Sequence, residues 1–471
     1  MLSGFLILVS LIIESKTFFF MKLIFMKNWR WLTSCMILGL LLSSCKDDDN
    51  ASREYNPNEE VVLTSFNPTK GPLASQVILY GSNFGNDKEI VKVFFNEKEA
   101  NVVSAVGNKI LVLAPRLPGE ECVIKVQVGE QERTYKEAFD YIIQTNVTTL
   151  VGGVRSDANP RGTVSLSEAQ FRNKVERPLA IDEEKNIYFD VNDKDNDWDC
   201  YIMNEEANQI KWLETGGYWL NAPVVAYSPL RGTCYKMYAN SGSHDYFYYD
   251  KKMALSKVQE GKIAWLNGIE PKAAPGFGTF SDKQTFAMNP DDGKFYTRNY
   301  VGEILRFDPA TSIGEVLNPS PNVVGAEGNS FGFIFDKFDN NIIYFSVEQA
   351  HCIYKYVLST GECTLLAGKE KTGGFMDGPL GNSRFSAPKQ ICTDSEGDLY
   401  VADRDNHCIR KITMKTGYVS TVAGIPQKAG YQNGTSEVAL LNQPVGLVID
   451  SDDIMYIGDS ENAAIRRLAI E

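Results

Sequence analysis

Leu399-Tyr400-Val401-Ala402-Asp403-Arg404-Asp405-Asn406-His407-Cys408-Ile409-Arg410-Lys411-Ile412 returns 56 residues later as Met455-Tyr456-Ile457-Gly458-Asp459-Ser460-Glu461-Asn462-Ala463-Ala464-Ile465-Arg466-Arg467-Leu468. The register extends outward without a gap. Pro388 and Asp394 answer Pro444 and Asp450, and the loop carrying Gly374-Phe375 and Asp377-Gly378 answers Gly430-Tyr431 and Asn433-Gly434. Self-similarity at a fixed period marks a repeat architecture in which each copy is one supersecondary unit. Weaker copies begin near Pro178-Leu179-Ala180-Ile181-Asp182, near Pro223-Val224-Val225-Ala226 and near Phe286-Ala287-Met288-Asn289. Each copy reads as a short apolar strand, a turn, a Tyr-containing strand, a loop, a basic strand and an outer strand, which is a four-stranded blade. The copies predict an all-β body over residues 146–471, a six-bladed β-propeller. Val147-Thr148-Thr149-Leu150 is predicted to supply the outer strand of the last blade, which removes an open sheet edge.

An Asp-x-x-Asn turn followed by Ile-Arg-Lys, after a Tyr-Val-Ala strand, resembles the NHL repeat. The pattern is clear in the two copies above. The preceding copy departs from it, with Val347 and Ala350 at the Asp and Asn positions.

Residues 59–143 alternate short β-type runs with Gly, Pro and Asn breaks, the pattern of an antiparallel sandwich. Val77-Ile78-Leu79 reads as a strand and Gly81-Ser82-Asn83-Phe84-Gly85 as a loop. Val91, Val93 and Phe95 share one strand face, and Ile124, Val126 and Val128 share another. From its Pro-x-x-Gly turn to Phe139-Asp140-Tyr141 the segment resembles an IPT/TIG domain, an immunoglobulin-like module. The resemblance implies a spacer rather than a catalytic unit.

The first 44 residues read as an address. From Met26, taken as the true start, Lys27 and Arg30 precede an apolar stretch, Trp31 to Leu42, too short to span a bilayer. Leu42-Ser43-Ser44-Cys45 resembles a bacterial lipobox, which implies signal-peptide cleavage and lipidation at Cys45. Lys46-Asp47-Asp48-Asp49 resembles the acidic export tag of surface lipoproteins and implies an outer-membrane anchor facing the exterior. Residues 45–58 would then be a flexible tether.

The net charge is −13, and −16 once residues 1–44 are removed. No Lys/Arg run offsets it, which argues against nucleic acid as a partner. The nine cysteines show no metal-ligand spacing and read mostly as small core residues. Three histidines, His244, His351 and His407, make a poor ligand set for a propeller lyase, and no nucleophile elbow or phosphate loop is present.

In an up-and-down blade, the loop between the second and third strands and the loop leading to the next blade open on one face. The first kind brings Asp193, Asp195, Asp197, Trp198, Asp199, His351, Arg404, Asn406 and His407 there. The second brings Tyr218, Trp219, Phe277, Phe375 and Tyr431. Rings flanked by amides and charges suit sugars, so Trp198, Tyr218, Trp219, Phe375, Arg404, Asn406, His407 and Tyr431 are the candidate ligand contacts. Equally, the aromatic loops can pack on the rim for stability, and Asp403, Asn406, Asp459 and Asn462 can cap turns. Asp193, Asp195, Asp197 and Asp199 alternate in a loop where Ca²⁺ would relieve their repulsion. The spacing is similar to the start of an EF-hand loop but lacks its glycine and terminal glutamate; the alternative is a solvated acidic turn. The expected function is non-catalytic binding at the cell surface. Its ligand is a glycan taken up with an outer-membrane transporter, or else a surface protein; a metal-dependent lyase is the third reading.

Overall fold

The computed structural model describes residues 54–72, 74–115, 121–142, 145–193, 198–216, 226–228, 233–237, 245–250, 256–272, 285–317 and 325–470. The proposed address over 1–44, Cys45 and the tether to residue 53 lie outside the described residues. The chain is all-β and divides after Ile142 into two units. Among the described residues no helix is long and apolar enough to cross a membrane.

The first unit is a sheet ordered Val62–Asn67, Gln76–Gly85, Lys98–Leu113, Val91–Phe95, Glu121–Val128, Gln131–Tyr141, Lys70–Gly71. Strict alternation decides which face is inside: Cys122, Ile124, Val126 and Val128 are fully buried, while Glu121 and Val123 face out. Phe95 meets Phe139 edge to face at 5.2 Å, and Phe66 meets Tyr135 at the same distance, so aromatic rings fill the centre. The predicted loop Gly81–Gly85 is instead the end of strand Gln76–Gly85. Asn83 enters the left-handed region (φ 63°), and its Nδ2 donates to the carbonyls of Asn56 and Glu59, so an irregularity in the ladder replaces the loop.

In the second unit, consecutive sheets, antiparallel apart from the pairing of Ala264–Trp265 with Ile313–Val316, are built from the repeats. The clearest runs Pro388–Thr393, Leu399–Asp403, Cys408–Thr413, Tyr418–Ala423. Others begin with inner strands Ala180–Ile181, Ala226–Ser228, Ala287–Met288, Phe333–Phe335 and Pro444–Ile449. Each inner strand lies beside the next in that chain order, and Pro444–Ile449 returns to Ala180–Ile181, so the sheets form a closed β-propeller. Thr145–Gly152 pairs antiparallel with Ala464–Ile470, setting Val147 opposite Leu468 and Val151 opposite Ile465, all buried. The opening strand therefore completes the last sheet and covers its edge, as expected from the sequence.

Two side-chain devices explain the repeat motif. In the turn after the inner strand, Asp394 Oδ1 accepts the amides of Glu396 and Asp398 (3.1 and 2.9 Å), while Oδ2 accepts Tyr400 Oη–H (3.1 Å). Asp182 with Tyr188, and Asp336 with Tyr344, repeat that aspartate–tyrosine bond. Further up the blade, Asp403 is fully buried and accepts from Asn406 Nδ2, Arg410 Nη1 (each 2.8 Å) and the Ser386 amide (2.7 Å). Arg410, also fully buried, donates to Asp377 Oδ1 and the carbonyls of Met376 and Arg384, and Asn406 donates to Gly374 O. The knot thus ties the loop over 374–384 to the blade. Asp459, Asn462 and Arg466 form the same knot and hold the Gly430 and Gln432 carbonyls. Burial pushes the Asp403 carboxyl up to about 6, with Arg410 pulling the other way.

Removing one partner of a buried pair leaves a charge uncompensated, a cost of about 3–5 kcal/mol. Arg410→Met is expected to cost about that much in denaturant unfolding. The double variant Asp403→Leu/Arg410→Met should lose clearly less than the sum of its single changes; strict additivity would contradict the knot.

Candidate functional site

In the last three sheets the second strand ends in a tight turn whose last residue is left-handed: His351 (φ 60°), His407 (φ 55°) and Ala463 (φ 49°). These turns present Glu348, Arg404 and Ser460 at equivalent repeat positions. Arg404 Nη1 reaches Glu348 Oε1 at 2.5 Å, across neighbouring blades, and Lys389 Nζ meets Glu348 Oε2 at 2.8 Å. Lys389 stands at the start of its inner strand with only 5% of its side chain exposed, and its Nζ lies 3.4 Å from the Phe331 ring centroid. Arg177, in the segment leading to Ala180–Ile181, stacks its guanidinium 4.7 Å over buried Trp198. Around the inner strands the mouth is thus formed by a chain of charges lying over two buried aromatic rings.

Its geometry is fixed from beneath. Ser346 Oγ donates to Lys389 O (2.7 Å) and accepts the Gly332 amide (2.9 Å). Gln390 Oε1 accepts the amides of Leu179 and Leu447 (2.7 and 2.8 Å), and its Nε2 donates to Leu179 O (2.7 Å), binding three inner strands with one amide. Burial drives the Lys389 ammonium down to about 8; Glu348 opposes that shift, while Arg404 and Arg177 add to it.

Of the residues predicted to bind ligand, Arg404 and Trp198 belong to this mouth. Asn406 sits inside the buried knot. His407 Nδ1 accepts the Gln443 amide (3.1 Å) and His351 Nδ1 the Ala387 amide (3.0 Å), so each imidazole fastens its turn to the next blade; burial also lowers the His407 pKa. The half-buried Phe375 ring packs on buried Arg410 (4.7 Å) and the exposed Tyr431 ring on buried Arg466 (4.9 Å), with Tyr431 Oη bonded to Thr149 Oγ1. Both rings therefore anchor their loops, Tyr431 keeping 45% of its surface exposed. Gly153 makes that packing possible, because a Cβ there would stand 2.0 Å from Tyr431 Oη.

Arg161 bonds Asp193 (3.2 Å) and Asp199, and Asp199 also accepts from Asn159 Nδ2, Trp212 Nε1 and Thr215 Oγ1. For these two carboxylates Arg161 takes the electrostatic role assigned to Ca²⁺. Among the described residues no cluster of His, Cys, Asp and Glu is arranged to hold a metal ion. Asp195, Asp197, Tyr218, Trp219, Phe277 and His244 lie outside the described residues.

Sequence reasoning missed Arg177, Phe331, Glu348, Lys389 and Gln390. One signal was present: Lys389-Gln390 stands opposite Val445-Gly446 in the repeat, polar where the copy is apolar.

Residues 62–141 match the IPT/TIG domain and residues 385–412 the NHL repeat. The chain is 25% identical over 226 residues to the human NHL repeat-containing protein 2, covering 46% of this chain and 30% of that protein. It therefore spans under a third of that relative. Two solved structures share the fold over 89% of this chain. One is an auxiliary nutrient binding protein from Bacteroides ovatus (TM-score 0.62, 22% identity, 100% of that chain). The other is an auxiliary nutrient binding protein from Bacteroides thetaiotaomicron (TM-score 0.56, 21% identity, 99% of that chain).

A lysine whose native pKa lies below its unfolded value of 10.5 contributes full stability only above 10.5, and that contribution is lost as pH falls through about 8. Lys389→Met removes this dependence. The variant is expected to be more stable than the parent at pH 7, by about 2 kcal/mol, and the gain should vanish by about pH 10.5 in denaturant titrations; a variant less stable at both pH values contradicts the burial argument.

Proposed function

We propose that the protein is a non-catalytic ligand-binding protein of the cell surface, that its ligand is a glycan, and that binding takes place at the channel mouth. The observation that carries this reading is the convergence of Trp198, Phe331, Arg177, Glu348, Lys389 and Arg404 on one mouth. Charged groups meet sugar hydroxyls, and the buried Trp198 and Phe331 rings, covered by Arg177 and Lys389, hold those groups in place. The nutrient-binding role of the two Bacteroides proteins sharing the fold supports it. The use of His351 and His407 as backbone acceptors weighs against a histidine-dependent lyase.

In the same reading the propeller has six blades, the IPT/TIG module is a spacer, and Cys45 carries the lipid that holds the protein on the outer membrane beside a transporter. A surface protein as ligand is the competing reading.

Two measurements test the proposal. Affinity gels cast with a panel of polysaccharides should retard the full chain, and retardation by none of them would sink the glycan reading. The chain expressed in a Gram-negative host should incorporate labelled palmitate, and Cys45→Ala should abolish it; equal labelling of both would refute the anchor.

A further inference from the structure

The aspartate–tyrosine turns are not all of one length. Asp182 and Asp394 each bond a tyrosine six residues on, whereas Asp336 bonds Tyr344 eight residues on, so the Phe333 blade carries two extra residues in this turn. At the crest of the longer turn stands Phe338, with 74% of its surface exposed, the most open large apolar side chain among the described residues. In the shorter turns the exposed crest is polar, Glu183-Glu184 in one and Ser395-Glu396 in the other. Phe338 is nevertheless held in place. Asp336 Oδ1 accepts the amides of Phe338 and Asp339 (2.9 and 3.0 Å), and one edge of the ring lies against Gly397 of the next blade, where a Cβ would stand 2.7 Å from it. Asn289 Nδ2 of the preceding blade donates to Asn340 O (3.2 Å), so the blades on both sides brace the turn. The ring is therefore a fixed apolar surface turned to water, and most of its area contributes nothing to the core.

We infer that Phe338 is a stacking platform for one pyranose ring of a neutral, β-linked glycan. This rests on the glycan-binding reading above and adds a second contact to it. Phe338 precedes strand Ile342–Val347 and Glu348 follows it, which separates the platform from the mouth by about 20 Å. The surroundings decide the class of ligand. Beside Phe338 and Gly397 in the chain, Lys337, Asp339, Ser395 and Glu396 are exposed and polar. An aromatic anchor for a protein partner sits among further contacts that exclude water, whereas a sugar needs one ring face for its C–H groups and polar neighbours for its hydroxyls. β-Linked glucose or xylose units fit, because their equatorial hydroxyls leave flat C–H faces. Asp339 and Glu396 outnumber Lys337 in a chain whose net charge is −13, which disfavours acidic sugars.

Calorimetry on the full chain with cellohexaose, laminarihexaose, xylohexaose and tetragalacturonate tests this. The expected result is binding of at least one neutral probe, weakened at least about fivefold by Phe338→Ala and not weakened by Phe338→Trp, which keeps a ring at the crest. A neutral probe whose binding Phe338→Ala leaves unchanged, or that Phe338→Trp weakens as much as Phe338→Ala does, would overturn the inference and leave the glycan reading standing. Binding of tetragalacturonate alone overturns it as well. So does binding of none of the four probes where affinity gels show retention by a polysaccharide; absence of retention on every gel, with no probe bound, removes both readings.

Discussion

The pairing of Thr145–Gly152 with Ala464–Ile470 is the constraint on which the second unit depends. Without that strand the last sheet exposes a row of unpaired amides and carbonyls beside buried Leu468 and Ile465. With it, a chain segment more than three hundred residues away from its partner closes the ring. The inner strands then meet around one channel, and Gln390 can bond Leu179 and Leu447 at once.

Closure also explains how polar groups are distributed. Aspartate, asparagine and arginine are buried in the Pro388 and Pro444 blades, where they tie the long connecting loops down. In the Phe333 blade, Val347 and Ala350 replace the aspartate and asparagine, and Tyr354 stands where the arginine would be, bonded to Glu370. That blade instead sends Glu348 to the mouth. Glu348 and Arg404 stand at equivalent positions of consecutive repeats, so a position that repeats in structure has diverged into an ion pair between blades.

Much of the fold is legible because its signals are local. The aspartate–tyrosine turns and the Asp-x-x-Asn-x-x-x-Arg knots each lie within one repeat, so a single self-alignment exposes them. The mouth is not legible in that way. Arg177, Phe331, Glu348 and Lys389 come from three parts of the chain, and only the closed ring sets their distances. The acidic run ending at Asp199 invited a cation because its counter-charge, Arg161, lies 38 residues upstream. Phe375 and Tyr431 lie on the expected loops, and only the fold shows the buried arginines packed against their rings. Gly81–Gly85 read as a loop because its glycines mask an asparagine, Asn83, that takes the left-handed position inside a strand.

The most direct measurement of ring closure is hydrogen exchange of the amides over 145–152 and 464–470 in the full chain. The account predicts that both segments are protected to the same degree and that Leu468→Asp deprotects the two together. Exchange over 145–152 at the rate of unstructured chain, or protection there that survives Leu468→Asp, would contradict it.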